Sequence, residues 1–211
     1  MTARHRHLGF EAILYEEGFR RVVGVDEVGR GPLAGPVVAA ACFIPPGVKL
    51  KGIRDSKMLT PEVRQELYWK IIQNSLVGIG IASVQEIDEL NILKASLLAM
   101  KRAVWALPIT PDFVLIDGIF KIEVPVSQMP LIQGDDKLIT IGAASIVAKV
   151  TRDQIMSDYD LQYPVYGFRQ HKGYATENHL IALNEWGPSP IHRMSFNPVS
   201  EAQAISQEYE P

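Results

Sequence analysis

Asp26 and Glu27 close an apolar run, two adjacent carboxylates set directly before the glycine-bracketed arginine of Gly29-Arg30-Gly31. Carboxylate oxygens are the ligands that magnesium and manganese prefer, and glycines on either side leave backbone free to approach a ligand closely. Two further acids follow the same pattern. Asp117 ends the apolar stretch Phe113-Val114-Leu115-Ile116 just before Gly118, and Asp135 stands in Gly134-Asp135-Asp136 ahead of a long helical stretch. Phosphodiester hydrolysis needs an activated water and a stabilised leaving oxyanion, and two metals about 3.5–4 Å apart supply both. Carboxylates drawn from separate segments to the ends of strands are an economical way to hold such a pair. The chemistry indicated is metal-assisted phosphodiester cleavage.

Each acid also has a plain structural use. An Asp-Glu pair at a strand end is often solvated punctuation, Asp117-Gly118 is a common turn dipeptide, and Gly134-Asp135-Asp136 suits the N-terminus of the helix that follows. Their joint occurrence with the Gly-Arg-Gly loop favours the metal site. Strand geometry adds a constraint, because successive side chains alternate faces and Asp26 and Glu27 cannot both point at one site from a regular strand. Either the strand breaks at Asp26, or Glu27 also contributes through its backbone carbonyl.

The elements that must position these acids follow from pattern. Residues 8–20 mix apolar and charged positions as a short amphipathic helix does, and 21–26 and 36–44 read as buried strands. Thr60-Pro61 is a helix start, with Thr60 as N-cap and Pro61 at the first helical position, and Val63, Leu67 and Ile71 share one face. A third strand is expected over 76–84, a helix over 90–107, a fourth strand over 113–117 and a short fifth at Leu131-Ile132. Residues 141–159 form a long Ala-rich helix, and 176–186 another, ended by Gly187-Pro188. The order predicts an α/β fold around a mixed sheet. We expect one domain over residues 1–200, its helical C-terminal extension beginning near 157, and a tail over 201–211.

The chain has 211 residues, 47% hydrophobic and 21% charged, as in ordinary globular proteins. No apolar run approaches the ~20 residues of a membrane helix, and no signal-peptide core follows the polar N-terminus. The single cysteine, Cys42, lies in an apolar run and reads as an inert core thiol, so a cytoplasmic setting is expected. A net charge of −3 gives no global basic field, so any nucleic-acid contact must come from local cations and backbone amides. Arg30, Lys57, Lys172 and Arg193 are the candidates. Three of the five histidines, His171, His179 and His192, fall in the C-terminal third, without the spacing of a zinc set.

Several long motifs in order resemble the bacterial ribonuclease HII family over roughly Val22 to Val199. They are the stretch from Val25 to Val38, Asp55-Ser56-Lys57, Ile116-Asp117-Gly118, and Gly134-Asp135 with the run from Ala143 to Asp153. Tyr166-Gly167-Phe168, the run from His171 to Thr176, and that from Gly187 to Phe196 complete the set. The resemblance implies an RNase H-like mixed five-stranded sheet flanked by helices. It implies an endonuclease that hydrolyses the RNA strand of RNA–DNA hybrids and cuts 5′ of ribonucleotides embedded in duplex DNA. Primer removal and excision of misincorporated ribonucleotides are the roles that follow.

Two Mn2+ or Mg2+ ions would be held by Asp26, Glu27, Asp117 and Asp135, leaving 5′-phosphate and 3′-hydroxyl ends. Gly29, Arg30 and Gly31 would approach the ribose 2′-hydroxyl, the group that distinguishes RNA from DNA, and Tyr174 would pack on the sugar past the cut. Lys57, Lys172 and Ser145 have the character of phosphate contacts; Ser145 serves equally as a small helix residue packed on the sheet. Arg152-Asp153 reads as a helix-surface pair or as support for the metal site.

Two positions depart from the family pattern. A second acid, Asp136, follows Asp135, but spacing to Ala143-Ala144-Ser145 assigns the family position to Asp135. Gly142 stands where Ala or Ser is more usual and is expected to loosen its helix slightly, without bearing on the chemistry. Ribonuclease HIII is the nearest rival, a relative that usually carries an extra N-terminal domain, whereas about two dozen residues precede Asp26 here. A non-catalytic hybrid-binding module and a small-molecule phosphatase are the others. Clustered negative charge disfavours the first, and a 2′-hydroxyl loop has no use in the second. A monomer is expected.

Overall fold

The computed structural model describes residues 10–53 and 59–202. At its centre is a five-stranded sheet built from β1 (Val22–Val28), β2 (Val37–Phe43), β3 (Leu76–Ala82), β4 (Phe113–Asp117) and β5 (Ser127–Leu131), in the order β3-β2-β1-β4-β5. β1 runs antiparallel to β2 and parallel to β4, so the sheet is mixed. The C-terminal ends of β1 and β4 therefore lie side by side, which brings Asp26 and Glu27 next to Asp117.

β2 is apolar at every position because both faces of the sheet are covered, as in α/β folds generally. Ala39, Ala41 and Phe43 pack with Val23 and Val25 against Ala99, Met100 and Ala103 of helix α4 (Ile92–Trp105). Ala40 and Cys42, on the other face, meet Ala143, Ala144 and Val147 of helix α6 (Ile139–Gln162) and Leu67 and Ile71 of α2 (Pro61–Asn74). Burial pushes the Cys42 thiol up to about 12, so it stays a neutral core group.

Glycines set the distance between these layers. A Cβ on Gly24 of β1 would run into the backbone of α6 at Thr140 and Ile141, and one on Gly80 of β3 into the Ala99 carbonyl of α4. Both helices lie on the strands at backbone range as a result.

Most expected elements are present, but β5 lies mostly before the Leu131-Ile132 expected for it, and further differences follow. Helix α1 is shorter than expected (Phe10–Glu16) and gives way to Gly18 at φ 104°. The helix expected over 90–107 is present as α4, and ahead of it stands an unexpected helix, α3 (Val84–Leu90), where the third strand was expected to end; Asn91 separates the two. Asn91 sits at φ 74° and its Oδ1 accepts from the N–H groups of Leu93 and Lys94, so it caps the second helix while interrupting the first. Short helices α5 (Gly134–Lys137) and α7 (Phe168–His171) were not expected; α8 (Glu177–Trp186) was. Residue 157 falls inside α6, which carries the chain from the sheet into the C-terminal segment without a break. No helix among the described residues is long and apolar enough to cross a membrane.

Candidate active site

A cleft of about 380 Å³ opens at the C-terminal ends of β1 and β4, lined by Asp26, Glu27, Asp117, Asp135, Val28, Arg64, Ser145, Lys149 and Tyr174. All four expected carboxylates line it, each delivered by a different device. Asp26 and Glu27 belong to a strand that stays regular through Val28, paired with β2 at Ala40 and Ala39. Asp26 leaves on the α6 face, where Ser145 hydrogen-bonds its carboxylate. Glu27 leaves on the α4 face and also lines an adjoining groove with Leu93, Ser96, Leu97 and Arg30. The strand does not break; the site straddles the end of the sheet.

Asp117 ends β4, and its Oδ1 accepts from the Gly134 N–H at 2.7 Å, which ties it to the turn carrying Asp135. A Cβ on Gly134 would stand 2.5 Å from Ile141 Cδ1, so glycine lets that amide approach without displacing the isoleucine side chain. Asp135 is buried and faces the cleft, whereas Asp136 is exposed and does not line it. Gly142 bears on this geometry after all. A Cβ there would lie 2.9 Å from the Asp135 carbonyl and 3.0 Å from Ile53, so the glycine makes room for the backbone that presents Asp135.

Electrostatics at the acids are unfavourable in the absence of a counter-charge. Burial, then the charges of Glu27 and Asp117, hold the Asp26 carboxyl well above the usual range. Burial also raises Glu27; Arg30 opposes that rise and Asp117 adds to it. Arg30 reaches Glu27 Oε1 at 3.5 Å, while Glu27 Oε2 is buried with no hydrogen-bond partner. A buried carboxylate oxygen without a partner costs stability, and a divalent cation would satisfy it. The donor set thus fits a hard cation. No three His, Cys, Asp or Glu side chains among the described residues are yet gathered closely enough to hold one. Asp26 Oδ1 is occupied by the Glu27 N–H at 2.7 Å and Asp117 Oδ1 by that of Gly134, and a cation competes with those bonds.

The expected substrate contacts divide. Gly29 adopts φ 97°, and Gly31 lies beside the cleft with its Cα hydrogens facing Tyr174, whose Cε1 would be 3.6 Å from a Cβ there. Tyr174 is 43% exposed on the cleft wall, so it is not a core tyrosine. Lys172 does not line the cleft; its Nζ donates to Ser157 Oγ at 2.9 Å and the Asp153 carbonyl at 3.3 Å. Lys57 lies outside the described residues.

Arg193, expected as a nucleic-acid contact, is fully buried and cannot be one. Its guanidinium donates to the carbonyls of Gly29, Arg30 and Gly35. Arg152, likewise fully buried rather than at a helix surface, donates to the carbonyls of Ala34, Pro36 and Lys172. Burial lowers Arg193 to about 9 and Arg152 to about 10, leaving both charged at neutral pH. Together they fasten the Gly-Arg-Gly loop to the segment that carries Tyr174. The sequence reading missed two cations that do line the cleft, Arg64 and Lys149. Lys149 stands one helical turn beyond Ser145, a spacing that places both on one face of α6.

The sheet order and its acid-lined strand ends define a nuclease of the RNase H type. The family model for ribonuclease HII matches residues 23–199. Ribonuclease HII of Geobacter sulfurreducens is 50% identical over 91% of this chain and 89% of its own length. That of Chlamydia trachomatis is 50% identical over 92% and 89%. Among solved structures, ribonuclease H2 from Pyrococcus horikoshii superposes with a TM-score of 0.75 at 26% identity, covering 89% of this chain and 99% of that one. The Mn2+ complex of Bst-RNase HIII shares the fold at a TM-score of 0.65, 18% identity and 92% and 72% coverage. The chain belongs to the ribonuclease HII family, and it is a ribonuclease H enzyme.

Proposed function

We propose that the protein is an endonuclease that hydrolyses the RNA strand of RNA–DNA hybrids and also cuts 5′ of single ribonucleotides in duplex DNA. One observation carries this reading: four carboxylates line a cleft whose wall is Tyr174, packed beside the Gly-Arg-Gly loop. A partnerless buried Glu27 oxygen supports Asp26, Glu27, Asp117 and Asp135 as the holders of two Mn2+ or Mg2+ ions. When bound, such ions would supply an activated water and charge neutralisation at the leaving 3′-oxygen. The chain's own residues do the rest. Gly29, Arg30 and Gly31 offer backbone and a cation to the ribose, Tyr174 offers a ring face to the neighbouring sugar, and Arg64 and Lys149 stand ready for phosphates. Ser145 orients Asp26 through its hydroxyl.

The test is cleavage of an end-labelled DNA duplex carrying one ribonucleotide, with Mn2+ and with chelator. A single metal-dependent cut on the 5′ side of the ribonucleotide is expected. Intact binding without any cut would replace this reading with a hybrid-binding module.

A further inference from the structure

Behind Tyr174 lies a group of histidines that neither metal binding nor the cleft uses. His179 and His192 are buried, at 0% and 1% exposure, with Nε2 to Nε2 at 3.0 Å. Their protons can be assigned by elimination. The Ser189 N–H donates to His192 Nδ1 at 2.9 Å, so Nδ1 accepts and Nε2 carries the proton. His179 Nε2 must then accept, which leaves its proton on Nδ1, 2.8 Å from the Tyr174 carbonyl. His171 stacks on His179 at 4.3 Å, accepts from the Gly173 N–H on Nδ1, and meets the Tyr166 carbonyl with Nε2 at 2.7 Å.

We propose that His192 and His179 form a directional ladder that positions Tyr174, from the Ser189 amide through two neutral imidazoles to the Tyr174 carbonyl. The ladder sets where the tyrosine ring stands over the cleft, and with it the discrimination of single ribonucleotides from continuous hybrid. This rests on the junction-reading function proposed above. Protonation of either ring would oppose two donors across one contact, His192 Nδ1 against the Ser189 amide or His179 Nε2 against His192. Arg193 and Arg152 crowd the same segment, with Asp88 and Lys172 the other charged groups nearby. Burial, and then the charges of the neighbouring histidines, lower both imidazoles to about 4.

The test compares single-turnover cleavage of a one-ribonucleotide duplex with that of a continuous RNA–DNA hybrid. Tyr174→Ala should lower the ratio of the two rates, and His179→Phe, which keeps a ring but no donor, should lower it on the order of tenfold. His179→Asn retains an N–H near the Nδ1 position and should stay within about twofold of the parent protein. In the Tyr174→Ala background, His179→Phe should change the ratio no further. An unchanged ratio in His179→Phe beside a lowered one in Tyr174→Ala overturns the ladder. An unchanged ratio in Tyr174→Ala instead overturns the junction reading, and the ladder's role in it. Proton–nitrogen correlation spectra of the unmodified protein decide independently of folding in any variant. They should show His179 protonated at Nδ1 and His192 at Nε2 from about pH 8 to pH 5. The opposite tautomers, or titration near the ordinary histidine value, overturn the proposal.

Discussion

At the scale of single residues, Asp26 is where function and stability oppose each other most sharply. Its carboxyl is held above the usual value by burial and by Glu27 and Asp117, so its charged form is disfavoured in the folded protein. A carboxyl raised on folding supports stability at low pH, and that support is lost as pH rises through the folded value. At neutral pH, without metal, the charge therefore weighs against the fold. Asp26→Asn keeps the Oδ1 acceptor position and removes the charge. It should abolish cleavage, by about 10³-fold or more, because several kcal/mol of metal-assisted stabilisation depend on this ligand. It should also raise Tm in chelator, by about 2–4 °C for each ~1 kcal/mol recovered in a chain of this size. The gain should be largest at neutral pH and shrink in acid, where the carboxyl of the parent protein is itself protonated. Thermal melts of both proteins from about pH 4 to pH 8 check this; near-normal turnover in the variant would remove Asp26 from the site. His179 and His192 act with the opposite sign. Their folded values of about 4 lie below the ordinary 6.5, so stability present above 6.5 is lost progressively as pH falls toward 4.

Among the elements, the close stacking of helices on the sheet is the feature most open to a single substitution. Gly80→Ala would drive a methyl into the Ala99 carbonyl, and the α4 backbone cannot yield as a flexible side chain would. Overpacking of this kind costs about 3 kcal/mol or more, a fall in Tm of roughly 6–12 °C, measurable by calorimetry. A melt within a degree or so of the parent would mean that α4 sits further from β3 than described. Arg193→Met should destabilise comparably, because the carbonyls of Gly29, Arg30 and Gly35 lose their buried donor at about 1–3 kcal/mol each. That loop should then be cut more readily in limited proteolysis. These two positions also mark where the sequence was and was not legible. The strands could be read because β2 and β4 are short apolar runs bounded by turn residues, and their terminal acids stood out by type. The contact that requires glycine in β3 depends on where α4 lands, which no local pattern carries. Arg193 looked like a surface cation because charge in a sequence does not reveal burial among carbonyls. Helix α3 was hidden because Val84 reads as the end of the third strand, and Asp26 and Glu27 seemed incompatible only while the site was imagined on one face of the sheet.

For the whole molecule, a net charge of −3 and an acid-lined cleft mean that a polyanionic duplex meets no long-range attraction. Among the described residues, affinity must come from the few cations at the cleft and its adjoining groove, Arg30, Arg64 and Lys149, together with backbone amides and any bound divalent ions. Lys149 is paired with Asp153 at 2.8 Å, half-buried, and must exchange that partner for a phosphate. Each phosphate neutralised on a B-form duplex contributes about −0.9 to the slope of log affinity against log salt, so three contacts give a slope of about −3. The inactive Asp26→Asn protein allows that slope to be measured on an intact DNA duplex carrying one ribonucleotide, by fluorescence anisotropy between about 50 and 200 mM salt. Arg64→Ala and Lys149→Ala should each flatten it by about 1 unit while weakening binding to all sequences alike, since phosphate contacts carry no sequence information. A slope steeper than about −6 would require roughly twice as many contacts as these residues provide. The additional cations would then have to lie on faces other than the cleft, or in the 54–58 segment with Lys57.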